Sequence, residues 1–172
     1  MRQKFLFLGQ TVDSTLLCPI SAIASQSSAP TTDTLKNTMQ LLNYLRTQED
    51  AVLSNNLSDM ILAVHRDASY LSKPKACSRA GGHFFLSSDT PIPPNNGAVL
   101  KIAHIIKNVM SSATEAELAG LYIMAHEAVY IRIILEDLGH KQPPTPLQTD
   151  NVMADAVING KVQPKQTKAM DM

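Results

Sequence analysis

Apolar positions along this chain follow two different periods. Up to about residue 55 the spacing is helical. In "APTTDTLKNTMQLLNYLRTQED" the residues Leu35, Met39, Leu42 and Leu45 fall a turn apart, with Thr31, Thr32 and Asp33 ahead of them as capping candidates. The preceding "VDSTLLCPISAIASQSS" reads as a further helix, provided that Pro19 lies in the first turn, where a missing amide is tolerated. From residue 56 the texture changes. "DMILAVHRDASY" packs Met60, Ile61, Leu62, Ala63 and Val64 into a short apolar run, the pattern of a buried strand that closes at Asp67. A turn through "LSKPKACS" leads to a second strand in "RAGGHFFLSS", and the Pro/Asn/Gly loop "DTPIPPNNG" leads to "AVLKIAHIIKNVM". That last run fits neither period cleanly; its position between a loop and a capped helix favours a strand. A helix of about 25 residues is predicted over 113–138, stopped by Gly139, Pro143 and Pro144. "TPLQTDN" then reads as a short strand ending at Asp150, and "NVMADAVING" as a helix that Gly160 ends. The expected organisation is a small helical lead-in over 1–55 and an α/β domain over 56–172.

Composition narrows the class without selecting a function. With 172 residues, 44% hydrophobic and 17% charged, the chain can bury a core and is neither disordered nor fibrous. Lys+Arg and Asp+Glu balance at 15 each, so no global field points to a polyanionic partner and any nucleic-acid surface has to come from local clustering. Cys18 and Cys77 form neither a zinc spacing nor a disulfide framework, which makes a reducing, intracellular compartment the expectation. At the N-terminus Gln10 and Asp13 interrupt the apolar run that a secretory signal needs, and no stretch approaches about 18 uninterrupted apolar residues, so neither secretion nor a membrane span is expected.

Candidate chemistry begins with two glutamates in "SSATEAELAG", residues 111–120. With Ser112 as N-cap, Glu115 takes the third helical position of a capping box and reaches back toward the cap amide. Projected at about 100° per residue, Glu117 instead heads a line through Leu121, Met124, Ala128, Ile131 and Leu135, the stripe that should face a sheet. Glu115 points to the opposite side, near His126 and Asp137. A carboxylate at the head of a core-facing stripe is either solvated because the first turn overhangs the sheet, or looks into a polar site. Asp67 and Asp150 each close an apolar strand candidate, where α/β sheets gather ligand groups; each alone also suits a turn or a helix cap. Three converging carboxylates coexist in ionised form around a cation, and oxygen ligands without Cys or paired His select Mg²⁺ or Mn²⁺. Two such ions suit phosphodiester hydrolysis. His126 and His140 fit no ligand pattern and read as structural or solvent-facing.

The series "VHRDASY", "SRAGGHFFLS", "SSATEAELAGLYIMAHEAVYIRIILEDLG", "LQTDN" and "QPKQTKAMDM" resembles the ribonuclease H domain of copia-type retrotransposon polyproteins. "LGQTVDSTLLCPISAIASQSSAPTTDTLKNTMQLLNYLRTQED" resembles the segment that joins the reverse transcriptase to that domain, so the likeness covers nearly the whole chain. The resemblance implies a ribonuclease H-like mixed sheet flanked by helices. It implies that Asp67, Glu117 and Asp150 bind two Mg²⁺ (or Mn²⁺) ions and hydrolyse the RNA strand of an RNA:DNA hybrid, and it puts Asp171 at the place of a fourth acidic residue. Recognition of the hybrid would rest on backbone shape and 2′-hydroxyls. Two basic groups flank the expected site and are candidate phosphate contacts: Lys73, Lys75 and Arg79 after Asp67, and Lys161, Lys165 and Lys168 before Asp171. The chain stops at Met172 where the family continues, which implies a C-terminally truncated copy, and no polymerase sequence is present. The competing expectation is a catalytically idle remnant, or a module of the same fold repurposed for binding.

Overall fold

A computed structural model describes residues 2–48, 50–73 and 76–162. The chain divides into two compact units, residues 1–54 and 55–172.

The first unit is helical. It comprises α1 (Arg2–Thr11), a 3-10 turn (Ser14–Leu16), α2 (Leu17–Ser25) and α3 (Thr32–Thr47). Pro19 does lie in the first turn of α2, where no intrahelical bond needs its amide. Thr31 is the N-cap of α3: its hydroxyl accepts from the Thr34 amide, and the Thr34 hydroxyl accepts in return from the Thr31 amide. Leu16, Ile20 and Leu41 form the small core of this unit. Helix α1 has no counterpart among the elements that the apolar pattern predicts.

The second unit is a mixed α/β fold. Its strands are β1 (Ile61–Lys73), β2 (Cys77–Ser87), β3 (Ala98–Ile106) and β4 (Leu147–Gln148); its helices are α4 (Ala113–Asp137) and α5 (Val152–Ile158). Sheet order is β3-β2-β1-β4, with β1, β2 and β3 an antiparallel meander and β4 parallel to β1. The ambiguous run before α4 is therefore a strand. Asp67, expected at a strand end, lies within β1 and pairs with Gly81. The ladder runs on through Ala68↔Ala80 and Ser69↔Arg79 to Lys73↔Cys77. The continuous apolar run stops at Val64, but backbone pairing with β2 continues regardless of side-chain polarity. Strand β4 is also shorter than expected, ending at Gln148, two residues before Asp150.

Helix α4 packs across β1 and β2. Leu62 and Val64 of β1, Ala80 and Phe84 of β2 and Ile106 of β3 meet Ala116, Met124, Ala128 and Leu135 of the helix. Burying a residue the size of Phe84 or Met124 contributes about 1.5–3 kcal/mol. At Gly120 the helix lies close on the sheet, and a Cβ there would stand 3.3 Å from that of Ala68. By length and composition α4 is long and apolar enough to cross a membrane, although polar residues interrupt it; here one side of it covers the sheet. It ends in a left-handed residue, Gly139 (φ 90°), with the His140 amide bonded to Leu135 O and the Gly139 amide to Glu136 O.

Beyond α4, two side chains fix the return of the chain. Arg132 donates to Pro143 O, to Gln142 O (3.0 Å) and to the Thr145 hydroxyl (3.0 Å). Gln142 accepts from the Leu62 amide (2.9 Å) and donates to Met60 O (2.9 Å), joining the segment to the start of β1. Together they set β4 beside β1, and with it the position of Asp150.

Candidate functional site

Each member of the acidic trio is held by a different element. Asp67 is carried by β1, Glu117 by the second turn of α4, and Asp150 by the joint between β4 and α5. The start of α4 is fixed by Ser112, whose hydroxyl accepts from the Glu115 amide (3.1 Å). Asn151, rather than Asp150, caps α5 by accepting from the Ala154 amide (2.9 Å), which leaves the Asp150 carboxylate unused by the cap.

The trio converges. One carboxylate oxygen from each of Asp67, Glu117 and Asp150 lies within 4.8 Å of the other two. Oxygens round a single Mg²⁺ at about 2.0–2.1 Å lie at most about 4.2 Å apart and oxygens bracketing two ions about 3.5–4 Å apart spread wider, so this bound admits either arrangement. The all-oxygen donor set fits a hard divalent cation. Asp67 and Asp150 are exposed, but Glu117 is buried, with 7% of its surface accessible. The overhanging, solvated first turn is thereby ruled out.

Burial is the largest influence on Glu117 and pushes its pKa up from the usual carboxylate value. A hydrogen bond and the charge of Arg66 pull it down, while the charges of Asp67 and Asp150 push it up again.

Arg66 is the residue that motif reading overlooked. Its side chain is fully buried and ion-paired with Glu117: Nη1 donates to Glu117 Oε2 and to Glu117 O (3.1 Å). Nη2 donates to the Thr149 hydroxyl, which also accepts from the Asn151 amide (3.0 Å). A signal for it was present. In a period-two strand Arg66 shares a face with Leu62 and Val64, so a charged residue on the core-facing side required a buried anion nearby.

Glu115 departs from its expected surroundings. It caps as anticipated through its own amide, but its Oε2 accepts from the Ser111 amide (2.6 Å), one residue before the N-cap. It is fully buried, and Ala116 and Glu117 beside it in the first turns of α4 are buried as well. Oε1 has no hydrogen-bond partner among the described residues. His126 is exposed on α4, between the rings of Tyr122 and Tyr130. His140 lies at the helix end.

The expected phosphate contacts are only partly covered. Arg79 is buried in β2 with 7% of its surface accessible, so its guanidinium is not presented on an open face. Position 79 follows Ser78 on a strand whose both faces are packed near the hairpin, which the basic count in sequence did not reveal. Lys161 pairs with Asp155 at 3.1 Å. Lys73 ends β1 through its backbone, while its side chain, together with Lys75, Lys165, Lys168 and the expected fourth acid Asp171, lies outside the described residues. No protein-family model, curated protein or solved structure matches the chain.

Proposed function

We propose that this chain is a divalent-cation-dependent endonuclease of ribonuclease H type, cutting the RNA strand of an RNA:DNA hybrid and derived from a copia-type retrotransposon polyprotein. The observation that carries the reading is the meeting of Asp67, Glu117 and Asp150 from three separate elements. Carboxylates repel one another, and a fold that gathers three of them favours a cation between them. The mixed sheet, with α4 lying across β1 and β2, supports a ribonuclease H-like assignment.

Asp67 and Asp150 offer exposed oxygens that would hold Mg²⁺ or Mn²⁺ at the surface, with Glu117 behind them. When bound, such ions supply activation of water and stabilisation of the leaving oxygen in phosphodiester hydrolysis. Since the aspartates are open to solvent, a duplex backbone can approach them without a lid. RNA is selected over DNA by 2′-hydroxyl contacts and A-like shape, not by base sequence. In the family such a unit is covalently joined to a reverse transcriptase and works inside the cell.

The test is cleavage of an RNA:DNA hybrid labelled on either strand, with Mg²⁺ and then Mn²⁺, beside Asp150→Asn. The reading expects loss of the RNA strand alone, abolished by the substitution and by EDTA. An intact hybrid at every metal concentration would remove the enzymatic reading. A second reading, a binding module without catalysis, is favoured by the Arg66 ion pair, which already engages Glu117. It expects the hybrid to be retained in gel-shift experiments while remaining whole.

A further inference from the structure

We infer that Arg66 is the resident cation of the acidic cluster, standing in for one divalent ion, so that the chain takes one such ion, held by Asp67 and Asp150. This rests on reading the cluster as a metal site.

The geometry has three parts. Arg66 immediately precedes Asp67 on β1, and its guanidinium reaches the other two elements that build the cluster. Nη1 bonds both the carboxylate and the backbone oxygen of Glu117 on α4; Nη2 bonds Thr149, the neighbour of Asp150. The side chain is fully buried, so it cannot swing out to solvent without breaking all of these bonds. Glu117 is correspondingly committed, its Oε2 facing a guanidinium rather than open space.

Charge leads to the same count. Three ionised carboxylates carry −3. The Arg66 guanidinium, one positive charge, brings this to −2. One divalent ion neutralises that remainder. A second would leave a net +2 in a cluster backed by a buried cation, a charge that a single phosphodiester cannot offset. Without Arg66 the cluster returns to −3, and two ions with one phosphodiester balance.

The experiment counts ions directly. Mn²⁺ uptake by the full chain is measured from the loss of the free-ion electron paramagnetic resonance signal and by calorimetry, for wild type, Arg66→Ser and Arg66→Gln, with Asp150→Asn to subtract uptake elsewhere. Wild type should saturate at one ion per chain and both variants at two, with the first ion bound roughly tenfold tighter or more once the buried charge is gone. Arg66→Gln keeps hydrogen-bonding groups for Glu117 and Thr149, which guards against a variant that fails to fold. Should both variants unfold, the wild-type count still decides. Two ions in wild type, or equal counts in wild type and variants, overturn the role of Arg66 and leave the metal-site reading standing. No uptake by any form above that of Asp150→Asn removes the metal-site reading itself.

Discussion

Replacing Glu117 by alanine should unfold the second unit far more readily than removing either aspartate beside it. Glu117 and Arg66 are a buried pair, with side chains 9% and 0% accessible. Deleting one member leaves the other charge uncompensated in the interior, which costs about 3–5 kcal/mol. The bonds from Arg66 to Glu117 O and Thr149 Oγ1 survive the change, which places the expected loss toward the lower end. Asp67 and Asp150 are exposed, and each raises the energy of ionised Glu117 by repulsion. Asp67→Asn and Asp150→Asn should therefore shift stability by no more than about 0.5 kcal/mol, in the favourable direction. For a domain of about this size 1 kcal/mol moves the melting midpoint by roughly 3–6 °C, so Glu117→Ala should melt about 10–25 °C lower. Glu117→Gln, which keeps an acceptor for Arg66, should fall between, costing about 1–2 kcal/mol. The measurement is thermal and urea unfolding followed by circular dichroism in EDTA, where no cation rescues the repulsion. Equal melting of Glu117→Ala and Asp150→Asn would refute the account, because it would mean that Arg66 does not depend on Glu117.

Three further outcomes test other parts of the structure. Gln142→Ala strips the partners of the Leu62 amide and Met60 O, so unfolding free energy should fall by about 2–4 kcal/mol, and the Leu62 amide should exchange with solvent much faster. Gly82→Ala places a Cβ 2.2 Å from Met124 Sδ and 3.0 Å from Phe84; since Met124 is fully buried, it can move only by disturbing the core, for an expected cost of about 1–3 kcal/mol in urea unfolding. His65 has its pKa lowered, by burial first and by the charge of His83 second, against a hydrogen bond with the Gln148 side chain that raises it. The folded state thus prefers the neutral ring. Its contribution to stability is full above about pH 6.5, the unfolded value, and is lost as pH falls through the lowered folded value. Melting midpoints of wild type should drop across that acid window, while those of His65→Gln should drop less; parallel curves would contradict it.

Much of the fold could be read because its elements carry local signals. Ser112 and Glu115 mark the start of α4, Gly139 its end, and Thr31 the start of α3, each through a bond made within a few residues. The stripe from Glu117 to Leu135 is the side of α4 that meets the sheet, because helical period and burial agree there. Elements governed by pairing with distant residues were harder. The extension of β1 past Asp67 depends on β2, and the brevity of β4 depends on how Gln142 and Arg132 tie the preceding loop. Neither dependence leaves a mark in the local sequence.

The acidic site divides along the same line. Helical projection separates Glu117 from Glu115 in direction but is silent on depth, and Glu115 is buried as deeply as any residue of α4. Projection gives an angle, not a depth, and at the start of α4 both sides of the helix are covered. Asp67 and Asp150 stand out in the sequence as strand ends; they meet Glu117 although one lies mid-strand and the other beyond its strand, because proximity depends on where β1 and β4 pass the helix, not on where pairing stops. Arg66 shows the larger omission. Motif reading ranks residues by the chemistry they could perform and passes over a base beside an acid as ordinary surface charge. Alternation along β1 puts that base on the buried face, where a charge demands a counter-charge, and the counter-charge it finds is the carboxylate expected to bind metal. The number of positive charges available to this cluster is therefore set partly by the strand itself, and an acidic triad identified by pattern alone does not fix how many ions it would take.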